Sequence, residues 1–227
     1  MSTPWPPLAA WHVFSLGVTA GLTFLTMTAF WAVSPRWLRN LLLLTGLLTL
    51  SRYVAMVICA ISDDPQPWWL LRRCWWATTI GLTLPTVVAV DQLVRHPAMT
   101  PKKLLSRFSP FLIVYLLVML LGASTPVRDP WIGWVPRLAP AWRLILSITQ
   151  GLFVLGLLGV SGFLVRKLPS RSVRAALIGL MLAHASLGID RFVRLFGGWP
   201  ACPFLFGELL TLLAIWAALR TAQIQTM

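Results

Sequence analysis

Long apolar runs constrain this chain before anything else. A helix needs about 20 apolar residues to cross the hydrocarbon core of a bilayer, within a range of roughly 17–25. Seven segments meet or approach that length: Leu8–Val33, Leu41–Ile61, Trp68–Val90, Phe108–Ser124, Ala141–Val165, Val173–Phe196 and Pro203–Leu219. Lipid offers no partner to backbone N–H and C=O groups, so such segments are read as helices that satisfy themselves. Pro35, Pro65, Pro67, Pro97, Pro101, Pro169 and Pro200 fall between the runs, where chain breakers belong. Pro85 is taken as the only proline inside a span, kinking the third helix. The fold expected is all-α: a polytopic membrane bundle of seven transmembrane helices forming a single domain over residues 1–227, with no soluble domain. The longest connection, Thr125–Pro140, has 16 residues and is expected to be a loop. The first run has no basic leader and no small-residue cleavage pattern after it, so it reads as a span rather than a cleaved signal.

The chain has 19 basic against 6 acidic residues, a net charge of +13. Such an excess often marks a nucleic-acid partner, but here its placement follows topology. Arg36 and Arg39, then Arg95, Lys102, Lys103 and Arg107, then Arg166, Lys167, Arg171 and Arg174, and finally Arg220 fall in alternate connections. Cytoplasmic loops collect Lys and Arg, so the N-terminus is expected outside and the C-terminus in the cytoplasm. Trp5, Trp11, Trp68, Trp69, Trp131, Trp134, Trp142 and Trp199 gather at the expected outer boundary, and Trp31, Trp37 and Trp216 at the inner one. Indoles favour the headgroup layer. The expectation is a multi-pass protein of a bacterial-type cytoplasmic membrane, with the lipid bilayer as partner and no nucleic acid.

Ionisable groups within spans are expensive and tend to be functional. Arg52, in Thr49-Leu50-Ser51-Arg52-Tyr53, lies about mid-depth in the second span. Glu208, one turn into the seventh, is its best acidic candidate: at 1.5 Å rise per residue the two differ in depth by roughly 7 Å, within reach of a long Arg. One reading is a buried pair that fixes helix register; the other is a ligand or ion site. Asp63, Asp64, Asp129, Asp190 and Glu208 all fall toward the expected outer face. A site opening outward follows, with Arg72, Arg73, Asp190 and Arg191 at its entrance and His184 deeper in the membrane.

Cys59, Cys74 and Cys202 share that face with His12. Three readings stay open: a disulfide such as Cys74–Cys202, a soft-metal site with His12 and Met56 suited to Cu(I), or small apolar side chains filling gaps. A haem b held by His12 and His184 would need both at one depth, and they differ by roughly 10 Å along their helices. A buried His184 hydrogen-bonded to a neighbouring helix is the preferred reading. Retinal is excluded, because the only lysines (Lys102, Lys103 and Lys167) lie in connections rather than spans.

Phosphate-binding Gly-Lys loops, His-Glu-x-x-His and Gly-x-Ser-x-Gly are missing, so the chain reads more readily as a non-enzyme. A three-plus-one-plus-three repeat would align Thr45-Gly46-Leu47-Leu48 with Ile178-Gly179-Leu180-Met181 and set Arg52 level with His184. Gly17 and Gly21 form a GxxxG pattern, with internal packing as the expected use. Trp11-His12, Gly21, Phe24-Leu25 and Arg107-Phe108-Ser109 loosely resemble strings of copper-resistance inner-membrane proteins; they transfer no residue role. The leading expectation is a transporter or transport accessory for a small solute or ion. The alternatives are a sensor or assembly subunit with a membrane partner protein, and a haem- or copper-dependent redox protein.

Overall fold

A computed structural model describes residues 9–62, 64, 72–97, 99–129, 133–196 and 205–225, with the side chains of 190–196 left out. Among them are seven α-helices: α1 (Ala9–Phe30), α2 (Arg36–Ile61), α3 (Ala77–Val94), α4 (Pro101–Leu121), α5 (Pro140–Lys167), α6 (Arg171–Phe196) and α7 (Phe206–Ile224). A 3₁₀ turn at Cys74–Trp76 leads into α3. Six helices are long and apolar enough to cross a membrane. The other, α7, carries Glu208, Arg220 and Gln223 within its 19 residues, which lowers its apolar character.

The connection expected as a loop contains a two-stranded antiparallel hairpin, β1 (Ser124–Asp129) and β2 (Gly133–Leu138), in register from Ser124 opposite Leu138 to Asp129 opposite Gly133. Val127 and Val135 face each other across the ladder. Gly133 adopts φ +97°, and a Cβ there would come within 3.0 Å of the Ala60 backbone. Glycine is the residue that meets both demands.

Several helices outrun their apolar runs because the flanking polar residues are good helix formers at exposed turns. α2 begins at Arg36 rather than Leu41, and α4 at Pro101 rather than Phe108. Thr100 caps α4 by accepting from the Lys103 amide at 3.3 Å, with Pro101 in the first turn where its missing N–H costs no bond. Lys102, Lys103 and Arg107 therefore sit on a helix, not in a loop. Pro110 lies inside α4, so Pro85 in α3 is not alone within a helix. The expected start of the third span at Trp68 lies outside the described residues.

α3 is the central helix. Of its apolar window 72% is buried within the bundle, against 17% for α4 and 28% for α5, which are peripheral. Close approach of α3 to α2 depends on Gly81: a Cβ there would run into the Thr49 hydroxyl, and it would lie 3.1 Å from the Thr45 carbonyl oxygen. Gly46 makes room in the same way for the Met27 side chain of α1. The GxxxG pair does not behave as expected. Gly17 and Gly21 are exposed, and a Cβ at either meets nothing within 4 Å, because α1 turns its Ser15, Thr19, Thr23 and Thr26 face inward instead. Gly156 and Gly159 of α5 are equally open.

At the end of the bundle away from the hairpin, polar side chains tie helix termini together. Arg95 donates to the Ala222 carbonyl at 2.7 Å, and Gln223 to the Ala29 carbonyl at 3.0 Å. A basic side chain at a helix C-terminus satisfies an orphan carbonyl and complements the helix dipole.

Candidate functional site

The polar interior is built from α1, α2, α3 and α7. On α1, Ser15, Thr19, Thr23 and Thr26 recur at three- and four-residue spacing and so share a face. Each hydroxyl donates to its own helix: Ser15 to the Trp11 carbonyl at 2.9 Å, Thr19 to Ser15 at 2.5 Å, Thr23 to Thr19 at 2.9 Å and Thr26 to Leu22 at 2.7 Å. Thr49 does the same toward Thr45 at 2.8 Å, Thr83 toward Thr79, and Thr211 toward Gly207 at 2.7 Å. This back-bonding removes the donor and leaves hydroxyl oxygens as acceptors toward the interior.

Arg52 and Glu208 meet in this interior. Arg52 Nη1 donates to Glu208 Oε2 at 2.6 Å, and the Tyr53 hydroxyl donates to the same oxygen at 3.0 Å. The two charged side chains are 9% and 11% exposed, so the pair is almost wholly withdrawn from solvent. Both donors lie on α2 and the carboxylate on α7, so the pair joins these two helices, with Thr23 of α1 next to Tyr53. The guanidinium is only partly engaged: its Nε is buried and has no acceptor among the described residues.

His184 of α6 takes a different partner. Its Nε2 lies 2.7 Å from the Thr86 hydroxyl of α3, and its ring meets Phe153 edge-on at 5.5 Å between centroids. Thr86 also donates to the Leu82 carbonyl at 2.7 Å. With that single proton so committed, His184 Nε2 is the donor. The arrangement is a histidine held by a neighbouring helix.

An apolar layer separates the Arg52–Glu208 pair from the hairpin end. Leu16, Met56, Cys59, Trp75 and Leu205 form a buried cluster with Tyr53, and Trp134 and Val135 of β2 pack on it. The hairpin thus sits as a cap above the pair.

The remaining expected site residues are dispersed or undescribed. Arg72 is half-buried and Arg73 exposed, both in the turn before Cys74. Asp190 and Arg191 lie on α6 with side chains outside the described residues, and Cys202 lies outside them altogether. Among the described residues no three His, Cys, Asp or Glu side chains cluster as a metal site. His12 is buried, Cys59 is a buried free thiol in the apolar layer, and Cys74 is a half-buried free thiol.

Tyr53 and Thr86 are site residues to which the sequence reading gave no role. Tyr53 directly follows an intramembrane Arg, and Thr86 belongs to a Thr78, Thr79, Thr83, Thr86 run at helical spacing; both signals are visible in the sequence.

No known protein family, curated protein or solved structure matches the chain.

Proposed function

We propose that this chain moves, or helps to move, a small solute or ion across a membrane through the polar interior of α1, α2, α3 and α7. The observation that carries the reading is the buried Arg52–Glu208 pair with the Tyr53 hydroxyl on the same oxygen. Burying two charges costs several kcal/mol per ion before their attraction returns it, and such groups within spans commonly mark solute or ion paths. An apolar cap on one side and hydroxyl oxygens on the other are what an occluded binding position needs.

In this reading α7 completes seven spans, with the N-terminus and hairpin outside and the basic ends of α4 and α5 in the cytoplasm of a bacterial-type cell. The placement of Lys102, Lys103, Arg107, Arg166 and Lys167 at one end supports that orientation. In this reading the site opens toward the hairpin end when the apolar layer above Tyr53 parts.

The test is light-scattering from proteoliposomes shocked with urea, glycine, sodium acetate or potassium chloride. At least one solute is expected to enter faster than into protein-free vesicles, with the excess lost in Arg52→Lys. Equal rates for all four solutes would overturn the proposal.

A further inference from the structure

We propose that the turn joining α5 to α6 is a docking surface for the phosphate of an anionic phospholipid such as phosphatidylglycerol. The proposal stands apart from the reading of the interior as a solute site. It needs only that α5 and α6 span a membrane, for which both are long and apolar enough.

Charge points to an anion. Arg166 and Lys167 close α5, and Arg171 and Arg174 open α6, with only Leu168, Pro169 and Ser170 between the helices. Arg166, Lys167 and Arg171 are exposed. No acidic residue occurs from 130 to 189. Asp129 lies in the hairpin at the opposite end, and Asp190 is about 24 Å along α6 from Arg174 at the helical rise. Asp91, the other acid toward this end, is half-buried on the central helix α3.

Position points to a lipid. Lys167 does not extend beyond the end of α5: its Nζ lies over the Phe163 ring, 5.9 Å from the centroid and one turn back along the helix. Phe163 and nearby Val160 are exposed apolar residues of α5, and Ile178 and Leu182 are exposed on α6. The ammonium therefore sits at the border of an outward apolar surface, the level at which bilayer phosphates meet their acyl chains. A soluble anion would gain nothing from that border.

The hydroxyls of the turn suit a phosphate. Ser170 and Ser172 place their Oγ atoms 3.0 Å apart, so one donates to the other and one proton is left for an outside acceptor. The N-terminal pole of α6 adds partial positive charge at the same turn. Zwitterionic headgroups carry the same phosphate but bring a cation that these residues repel, which selects a headgroup of net negative charge.

The test uses the full chain in phosphatidylcholine nanodiscs doped with spin-labelled phospholipid. The motionally restricted fraction of the electron paramagnetic resonance spectrum reports lipid held by the protein. Labelled phosphatidylglycerol is expected to be held about threefold better than labelled phosphatidylcholine. Lys167→Gln/Arg171→Gln is expected to remove about half of that preference or more. Arg137→Gln/Arg143→Gln, which takes the same charge from exposed residues at the hairpin end, is expected to leave it in place. Thermal melting checks that each variant folds as the parent does, and Lys167→Gln alone carries the comparison if the first double variant melts lower.

Equal retention of the two lipids by the parent would overturn the proposal. Equal losses from the two double variants would reduce the effect to net charge and overturn the docking surface. Release of labelled phosphatidylglycerol by polyglutamate at equal charge concentration would assign the turn to an acidic protein segment instead.

Discussion

The half of the bundle formed by α1, α2, α3 and α7 differs from the rim formed by α4 and α5. The first buries ten threonines, an Arg and a Glu among its apolar side chains. The second packs Phe108, Phe111 and Phe153 ring on ring, with centroids 5.7 to 6.0 Å apart, and turns Ile148, Leu152, Leu155 and Phe163 outward. Outward apolar side chains suit lipid tails and need no partner. The buried polar groups of the first half hold their geometry through specific bonds, so exchanging one side chain leaves another stranded. One half is therefore intolerant of substitution and the other permissive.

The sharpest way to break that contrast is Arg52→Leu. Removing one member of a buried pair leaves Glu208 uncompensated, which typically costs about 3–5 kcal/mol. A loss of folded protein, read by size-exclusion and thermal melting in detergent, is expected, with recovery in the double variant Arg52→Leu/Glu208→Leu. If the double variant recovers stability and solute entry together, the pair serves register alone.

Gly81→Ala should come next. The added methyl meets the Thr49 hydroxyl, and overpacking of this kind costs about 1–3 kcal/mol. Thr49→Ala in the same chain should return most of the loss in the melt. A melt unchanged by Gly81→Ala alone would show that α2 and α3 are not held as closely as described.

Thr86→Val removes the hydroxyl bonded to His184 Nε2 and should cost about 1 kcal/mol. His184→Phe in the Thr86→Val background should then cost little more than either change alone, because the two share one bond. The smallest effect is expected on the rim. Leu155→Ala, at a side chain 67% exposed, should stay within about 0.5 kcal/mol of the parent in the melt. A rim substitution as damaging as Gly81→Ala would erase the distinction between the halves.

Most helices were legible as apolar runs, because lipid selects for length and composition before packing matters. Their starts were not. Arg36, Pro101 and Lys102 extend helices into polar sequence, where capping and exposure decide and hydropathy is silent. The hairpin was hidden because Ser124–Leu138 holds three prolines among its charges and has little alternation of apolar residues; its cross-strand ladder and the seat of Gly133 on Ala60 supply what the sequence pattern lacks. Arg52 and Glu208 stood out as costly residues with complementary charge and reachable depth. Tyr53 did not, since an aromatic beside a span charge is ordinary; only its convergence with Arg52 on one carboxylate oxygen gives it a role. Gly17 and Gly21 misled for the opposite reason: spacing marks a smooth face on α1 but not the direction it points.

The ladder from Ser124–Leu138 to Asp129–Gly133 joins α4 to α5 by a stiff ribbon in place of slack chain. That ribbon rests on Ala60 at Gly133, a fulcrum with no spare clearance. Tilting of the two rim helices against the core would accordingly lever Trp134 and Val135 against the layer above Tyr53, converting sideways motion in the bilayer plane into vertical motion of the cap.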